Sequence, residues 1–330
     1  MSAVLLVGTG QVGVRAARQL VDTPGLERLW VASRAADRAA ATVGALGDRA
    51  VVLSGTRGGV PPLPEGVAAV AVAAPAPEAY RWVRAALEAS VPVATVVDHG
   101  FGHLGAGAHD RSTALVTGCG LGPGLTDVLA RHAAAALDEV DAVHVARVGA
   151  AGPACVEATR DARKEPTGEW RDGGWRAAPA GGPELLWFPE PIEARECRLV
   201  HDGVEAAAAA VPTARLVTSR LGIPPTTGRL RRGFGRDPKD RGWGAARVEV
   251  TGRRAGVTRS VVYGVVDRTA VVSGAVLAVA ALGLAGDSTV GLAAPAGRQA
   301  LGAVTDPVPF LTELARRGVT AAAFEGVAPR

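Results

Sequence analysis

The strongest constraint on this chain lies in its first thirteen residues. Ala3–Val7 are five apolar residues in a row, and they run directly into Gly8-Thr9-Gly10-Gln11-Val12-Gly13. A strand, a Gly-x-Gly-x-x-Gly turn and the start of a helix are together the fingerprint of a dinucleotide-binding βαβ unit. The glycines divide the work. Gly8 permits the tight turn, Gly10 lets backbone approach a pyrophosphate, and Gly13 lets the helix pack closely on the strand, while Gln11 and Val12 open the helix.

The next strand reads Leu29–Ala32 and ends in Ser33-Arg34. Enzymes that take NAD present an acid near this point, about 20 residues after the glycines, to the ribose 2′-hydroxyl. Here there is none. Ser33 can bond a 2′-phosphate, and Arg34, helped by Arg38, can pair with it or stack on adenine, so NADP(H) is expected. Asp37 keeps NAD(H) open, and the plain alternative is that Ser33 and Arg34 form a solvated turn. The later strand exit Ala73-Ala74-Pro75 is expected to run beside the nicotinamide ribose.

Composition narrows the class. At 330 residues, 48% hydrophobic and 21% charged, the chain reads as two folded domains rather than a disordered or fibrous protein. The net charge of +4 comes from a near balance of 36 basic and 32 acidic residues, so nucleic acid is not implied. Lysine occurs only at Lys164 and Lys239, which disfavours lysine chemistry. Cys119, Cys155 and Cys197 have no CxxC spacing, so neither a disulfide framework nor zinc is suggested, and a cytoplasmic location fits. The opening residues read as a strand and not as a signal peptide. Ala270–Ala285 is too short and too rich in Gly and Ala for a membrane span, so it is expected as a buried helix.

The expected fold class is α/β: a Rossmann, doubly wound parallel sheet with an inserted α/β domain for substrate binding and dimerisation. Strands are predicted at 3–7, 29–32, 51–53, 67–73, 93–97 and 114–117, with helices such as 12–21 and 78–89 between them. Residues 123–267 form the predicted second domain. It opens with a helix over 125–137 and a strand over 141–148, followed by an irregular tract over 160–191. A hairpin with strands at 247–251 and 257–266 can serve as a dimer face. The helical stretches 269–284 and 309–317 return the chain to the first domain, giving 1–122 plus 268–330 for that domain.

With these motifs placed, the segment Gly118-Cys119-Gly120-Leu121-Gly122-Pro123-Gly124-Leu125-Thr126-Asp127 and the tail from Asp306-Pro307 to Arg317-Gly318-Val319 resemble the glutamate-forming saccharopine dehydrogenase family. Lysine dehydrogenases and carboxynorspermidine dehydrogenases are its relatives. The resemblance covers both ends of the chain and is weak in the middle. It implies an NAD(P)-dependent oxidoreductase of C–N bonds, working as a homodimer on an amino-acid-like small molecule. Saccharopine-forming members carry a carboxylate before the proline, where this chain has Gly122. That departure takes away a polar substrate contact or a proton-transfer group, so a divergent or secondary-metabolite substrate rather than saccharopine itself is expected.

Candidates for the chemistry sit at strand ends. Asp98 and His99 follow the fifth strand, where His99 can donate a proton and Asp98 can orient it or hold an iminium; an ordinary Asp-His-Gly turn is the alternative. Metal binding by His99, His103 and His109 with Asp98 and Asp110 is not expected, since no regular element fixes their geometry. Cys119 either lines the nicotinamide pocket or packs. Thr126 and Asp127 either touch substrate, with Gly122, or cap a helix. His201 is a further substrate-binding candidate. The basic tract 228–254 can hold an acidic group, including a carrier protein, though a solvated loop is the default.

The leading expectation is therefore an NADPH-dependent reductase of an imine in an amino-acid-derived or secondary-metabolite substrate. Its rivals are an amine-oxidising dehydrogenase, a carbonyl reductase, and a non-catalytic NADP-binding regulatory protein.

Overall fold

The structure is a computed structural model in which residues 3–55, 59–101, 113–179, 181–223 and 242–327 are described. In chain order the first elements are β1 (Ala3–Val7), α1 (Gln11–Val21), β2 (Arg28–Ala32), α2 (Ala36–Gly44), β3 (Ala50–Val52), β4 (Val67–Val72), α3 (Ala76–Glu88), β5 (Val93–Thr95), β6 (Ala114–Thr117) and α4 (Leu125–Ala134). The middle of the chain holds β7 (Glu139–Val148), α5 (Pro153–Ala162), β8 (Gly168–Arg171), β9 (Gly174–Ala177), β10 (Glu184–Trp187), β11 (Ala194–Val200), α6 (Val204–Ala210) and β12 (Leu216–Gly222). The last third holds β13 (Trp243–Arg254), β14 (Val257–Arg268), α7 (Thr269–Leu284), β15 (Gly297–Ala300), α8 (Pro307–Arg316) and β16 (Ala322–Val327). Two compact units result, 1–128 with 271–319, and 129–270 with 320–330.

The first unit is a seven-stranded parallel sheet in the order β15-β6-β5-β4-β1-β2-β3. Its inner strands are apolar on both faces, as a sheet covered by helices on each side requires; β1 and β5 are buried at every residue. The strand order reverses between β1 and β4, and at such a switch point the strand ends leave a crevice. Trp82, Val83 and Ala86 of α3 pack with Phe101 and Leu115 on strands β1, β4 and β5. Helix α7 is the buried helix expected, with 275–282 fully enclosed. It meets α1 where Gly274 lies against Arg15 and Ala16; a β-carbon there would come within 2.8 Å of the Ala16 nitrogen. Among the described residues no helix is long and apolar enough to cross a membrane.

The second unit is built on a nine-stranded mixed sheet, whose main path runs β10-β11-β12-β7-β13-β14-β16. The hairpin β13–β14 is present, but its turn is two residues, not five. Ala255 and Gly256 both have positive φ (50° and 76°), the primed-turn conformation whose twist matches the flanking strands. Gly252 instead marks a register shift between β13 and β7, where a β-carbon would lie 2.0 Å from the Glu139 carbonyl.

Two further expectations are corrected. The tract 160–191 is not irregular throughout, because β8 and β9 form a tight hairpin with Trp170 paired to Trp175 and β10 edges the sheet. The tail after Val319 does not remain with the first unit. β16 pairs antiparallel with Arg259–Gly264 of β14 and satisfies an edge that would otherwise stand open.

Within this sheet His144 of β7 shares a hydrogen bond with Thr218 of β12 at 2.8 Å, and Arg220 donates to the same hydroxyl at 2.7 Å. Burial, followed by the Arg220 charge, holds the His144 imidazole below its usual value of 6.5; Glu249 and Glu184 oppose this, and Arg247 adds to it. The unfolded chain therefore binds this proton more readily, so stability is full above about pH 6.5 and falls as pH drops below it. Denaturant titrations at pH 7.5 and 5.5 should show this loss, and His144→Gln should reduce the pH dependence. An unchanged slope in the variant would refute the assignment.

Candidate functional site

Because all seven strands of the first sheet are parallel, every turn named from the sequence in this unit leaves the same edge. These are Gly8–Gly13 after β1, Ser33-Arg34 after β2, Ala73–Pro75 after β4, Asp98-His99 beyond β5 and Gly118–Gly124 after β6.

The glycine turn is enforced by contact. A β-carbon on Gly8, whose φ is +102°, would lie 2.4 Å from the Ala73 carbonyl oxygen, and one on Gly13 would lie 1.8 Å from the Gly8 oxygen. Gly10 differs: it is exposed, its φ is an ordinary −78°, and a β-carbon there would meet nothing within 4 Å. Gly10 is also the N-cap of α1, where no side chain caps the helix and no acid occupies the first turn. The backbone N–H groups of Gln11, Val12 and Gly13 thus stand at a helix N-terminus with its favourable field for an anion. A dinucleotide pyrophosphate fits this arrangement, since it needs backbone donors and an unobstructed approach over Gly10.

Beyond β2 the Ser33 hydroxyl oxygen accepts from Thr9 Oγ1 at 2.7 Å and from the Ala35 amide at 3.3 Å, which fixes the turn beside the glycines. Arg34 is 67% exposed, with Nε 4.0 Å from Glu78 Oε2 on α3. Glu78, which the sequence reading passed over, is buried and also accepts from Arg81 and from Trp82 Nε1 at 3.0 Å. Arg38 and Asp37 are exposed on α2. Ala74 is buried and Pro75 exposed, and Pro75 is the N-cap of α3.

Asp98 and His99 form a pair, with His99 Nδ1 2.7 Å from Asp98 Oδ1. An ionised carboxylate only accepts, so the proton of this bond sits on Nδ1 and Nε2 is the nitrogen left for other chemistry. Asp98 is 16% exposed and His99 66%, an anchored acid carrying an accessible ring. Tyr80 of α3 was not singled out from the sequence. Its hydroxyl donates to the His99 carbonyl at 3.2 Å, its ring meets Phe101 edge-on at 5.1 Å, and burial followed by the Asp98 charge raises its phenol above the usual value. The spacing that puts it there, one helical turn into α3, carries no local signal. His103, His109 and Asp110 lie outside the described residues, as does most of the basic tract, 224–241.

The loop after β6 folds on itself. Gly118 and Gly124 have positive φ, and a β-carbon on Gly124 would lie 2.3 Å from the Gly118 oxygen and 2.4 Å from the Gly120 oxygen. Leu121 N–H donates to Ser273 Oγ of α7 at 3.1 Å. Thr126 and Asp127 are buried, and the Asp127 carboxylate accepts from the Gly124 amide at 2.8 Å and from Thr126 Oγ1 at 3.2 Å. This is one half of a capping box at the start of α4, the structural alternative of the two readings. Cys119 is fully buried, and its thiol donates to the Val116 carbonyl at 3.5 Å; burial pushes it up to about 12. Gly122 is half-buried in the same loop, and the Gly122-Pro123 peptide is cis.

In the second unit, His201 follows β11 and its ring meets Trp175 edge-on at 4.1 Å. The adjacent Asp202 accepts from Arg147 Nη2.

The sequence matches no protein-family profile and no curated protein. Solved structures do match. Apo saccharopine dehydrogenase (L-Glu forming) from Saccharomyces cerevisiae aligns with a TM-score of 0.70 over 99% of this chain and 100% of that one, at 14% identity. GenD2 from gentamicin A biosynthesis, in complex with NAD, aligns with a TM-score of 0.50 over 99% and 96%, at 17% identity. The chain therefore has the fold of a saccharopine-dehydrogenase-like Rossmann protein, in agreement with the resemblance read from its motifs.

Two predictions test this geometry. Gly13→Ala should lower stability by about 3 kcal/mol because backbone must move, whereas Gly10→Ala should change it by under about 1 kcal/mol yet weaken dinucleotide binding at least tenfold. Chemical denaturation with a parallel nucleotide titration separates the two, and an unstable Gly10→Ala would contradict the open approach. Second, of the three free thiols Cys119 and Cys197 are buried and only Cys155 is partly accessible. A thiol reagent should label Cys155 rapidly in the native protein and the other two only on unfolding, as peptide mapping would show.

Proposed function

We propose that this chain is an NADPH-dependent oxidoreductase that reduces the C=N bond of an amino-acid-derived or secondary-metabolite substrate. The observation that carries the reading is the uncapped N-terminus of α1 behind the open Gly10, flanked on one strand edge by Ser33-Arg34 and by the Asp98–His99 pair. Supporting it is the shared fold with an enzyme named as a saccharopine dehydrogenase.

A reduced nicotinamide, when bound, supplies the hydride in such a reaction. The chain's own groups do the rest. The α1 N-terminus and the Gly10 backbone hold the pyrophosphate, and Ser33 and Arg34 hold the 2′-phosphate that distinguishes NADP from NAD. Asp98 keeps the His99 proton on Nδ1 and stabilises the ring when it carries a second proton. His99 Nε2–H then delivers that proton to the substrate nitrogen, so the imine is reduced as an iminium and leaves as an amine. Tyr80 fixes the backbone of His99 through its carbonyl. We assign the unit built on the nine-stranded sheet to substrate binding and to homodimer formation.

Fluorescence titration should give a Kd for NADPH at least tenfold below that for NADH, about 1.4 kcal/mol, and Arg34→Ala should remove most of that preference. With an imine substrate, His99→Gln should lower kcat about 10²- to 10⁴-fold while leaving the NADPH Kd unchanged. Equal binding of both nucleotides would overturn the cofactor assignment, and full turnover in His99→Gln would overturn its role as proton donor.

A further inference from the structure

Two arginines from different elements of the first unit reach one carboxylate, and only one of them has a part in the chemistry above. Glu78 lies in the first turn of α3 and is buried. Its Oε1 accepts from Nε1 of Trp82, itself buried, at 3.0 Å. Its Oε2 accepts from Arg81 Nη2, and the same oxygen stands 4.0 Å from Nε of Arg34, which follows β2. The carboxylate is thus bonded at both oxygens, one of them to an enclosed ring. Arg34 and Arg81 are 67% and 57% exposed, so both guanidiniums are open to solvent at the side of the Ser33-Arg34 turn.

The charges define the kind of group this pair can take. Two guanidiniums against one carboxylate leave a positive charge over. At 4.0 Å the Arg34 Nε is outside hydrogen-bonding distance of Glu78, and Arg81 bonds it through Nη2, so most N–H donors of the two forks are not spent on that carboxylate. A phosphate monoester carries about −1.5 to −2 charges at pH 7 and three acceptor oxygens, enough to meet two forks at once. A ribose 2′-hydroxyl is neutral, offers one oxygen and gains little from a second guanidinium. A surface pair three residues apart on α3 would account for Arg81 alone. It does not bring a second guanidinium, from beyond β2, to the same oxygen.

We propose that Arg81 is a second guanidinium for the 2′-phosphate of NADP(H), meeting it from α3 while Ser33 and Arg34 hold it from beyond β2. The proposal rests on the NADPH reading of the cofactor site. It adds to that reading a residue from a separate element, which sets the choice between the two nucleotides without taking part in proton or hydride transfer.

The test uses the full chain and isothermal calorimetry with 2′,5′-ADP and 5′-ADP, which differ only in the 2′-phosphate. Wild-type protein should bind 2′,5′-ADP about tenfold or more tightly than 5′-ADP. Arg81→Ala should weaken 2′,5′-ADP about tenfold and leave 5′-ADP unchanged, which also shows the variant folded. Arg81→Lys keeps the charge but loses the fork, so its affinity for 2′,5′-ADP should fall between the two. Arg84→Ala removes an exposed charge three residues further along α3 and should change neither affinity. Equal binding of the two nucleotides by wild-type protein would overturn the NADPH reading and this role with it. A wild-type preference for 2′,5′-ADP that survives in Arg81→Ala would overturn the role of Arg81 and leave that reading standing. Equal weakening of both nucleotides in Arg81→Ala would mean that Arg81 meets the adenosine or the pyrophosphate, which likewise overturns the proposal.

Discussion

The contact on which the first unit depends is the one between Gly13 and the Gly8 carbonyl. With no side chain at either position, α1 can lie directly against the turn that leaves β1, while the same turn touches the exit of β4 at Ala73. Strand, helix and neighbouring strand are thereby locked at one point, which fixes where the α1 N-terminus is aimed. The consequence runs outward through the fold. α7 packs on α1 at Gly274, and the residue before it, Ser273, accepts from the Leu121 amide in the loop after β6. Arg317 beyond α8 holds the other end of α1 through the Gln19 carbonyl at 2.9 Å and Thr23 at 3.1 Å, with Glu313 at its back. A single small-residue contact thus coordinates the N-terminal end of α1 with the loop on the far side of the strand edge.

The charges on this edge follow the same logic. An exposed arginine alone is a poor recognition group, because ordering its long side chain costs entropy. Glu78 stands beside Arg34: it is buried at the start of α3, bonded to Trp82 and Arg81, and presents its carboxylate 4.0 Å from an exposed guanidinium. The pair is too exposed on the arginine side to stabilise the fold appreciably.

The parallel sheet and its glycine turn were legible because both rest on local rules: apolar runs of strand length, and glycines at positions where backbone approaches backbone. β15 was not, since Gly297-Arg298-Gln299-Ala300 is half-polar and becomes a strand only by pairing with β6 at the sheet edge. The β8–β9 hairpin did carry a signal, Asp172-Gly173 with both φ positive, but four-residue strands flanking it show too little alternation to be noticed. The tail was misplaced for a different reason. Its helix α8 belongs to the first unit, and the six residues of β16 are directed elsewhere by a free edge on β14 that no local pattern in the tail announces. Of the site, the pair Asp98–His99 was visible from its place at a strand end. Tyr80 and Glu78 are placed by contacts to His99 and Arg34, in other parts of the chain, and left no trace in spacing.

The departure at Gly122 can be judged from the loop around it. Its conformation is set by backbone contacts at Gly118, Gly120 and Gly124, by the Ser273 hydroxyl on Leu121, and by the buried Asp127 carboxylate on the Gly124 amide. Gly124 and Gly118 need glycine, because their φ values are positive and a β-carbon would strike neighbouring atoms. Gly122 is under no such demand, since its backbone lies outside the left-handed region that favours glycine. The residue that differs from the saccharopine-forming pattern is thus one whose backbone does not require glycine, while Gly118 and Gly124 in the same loop do.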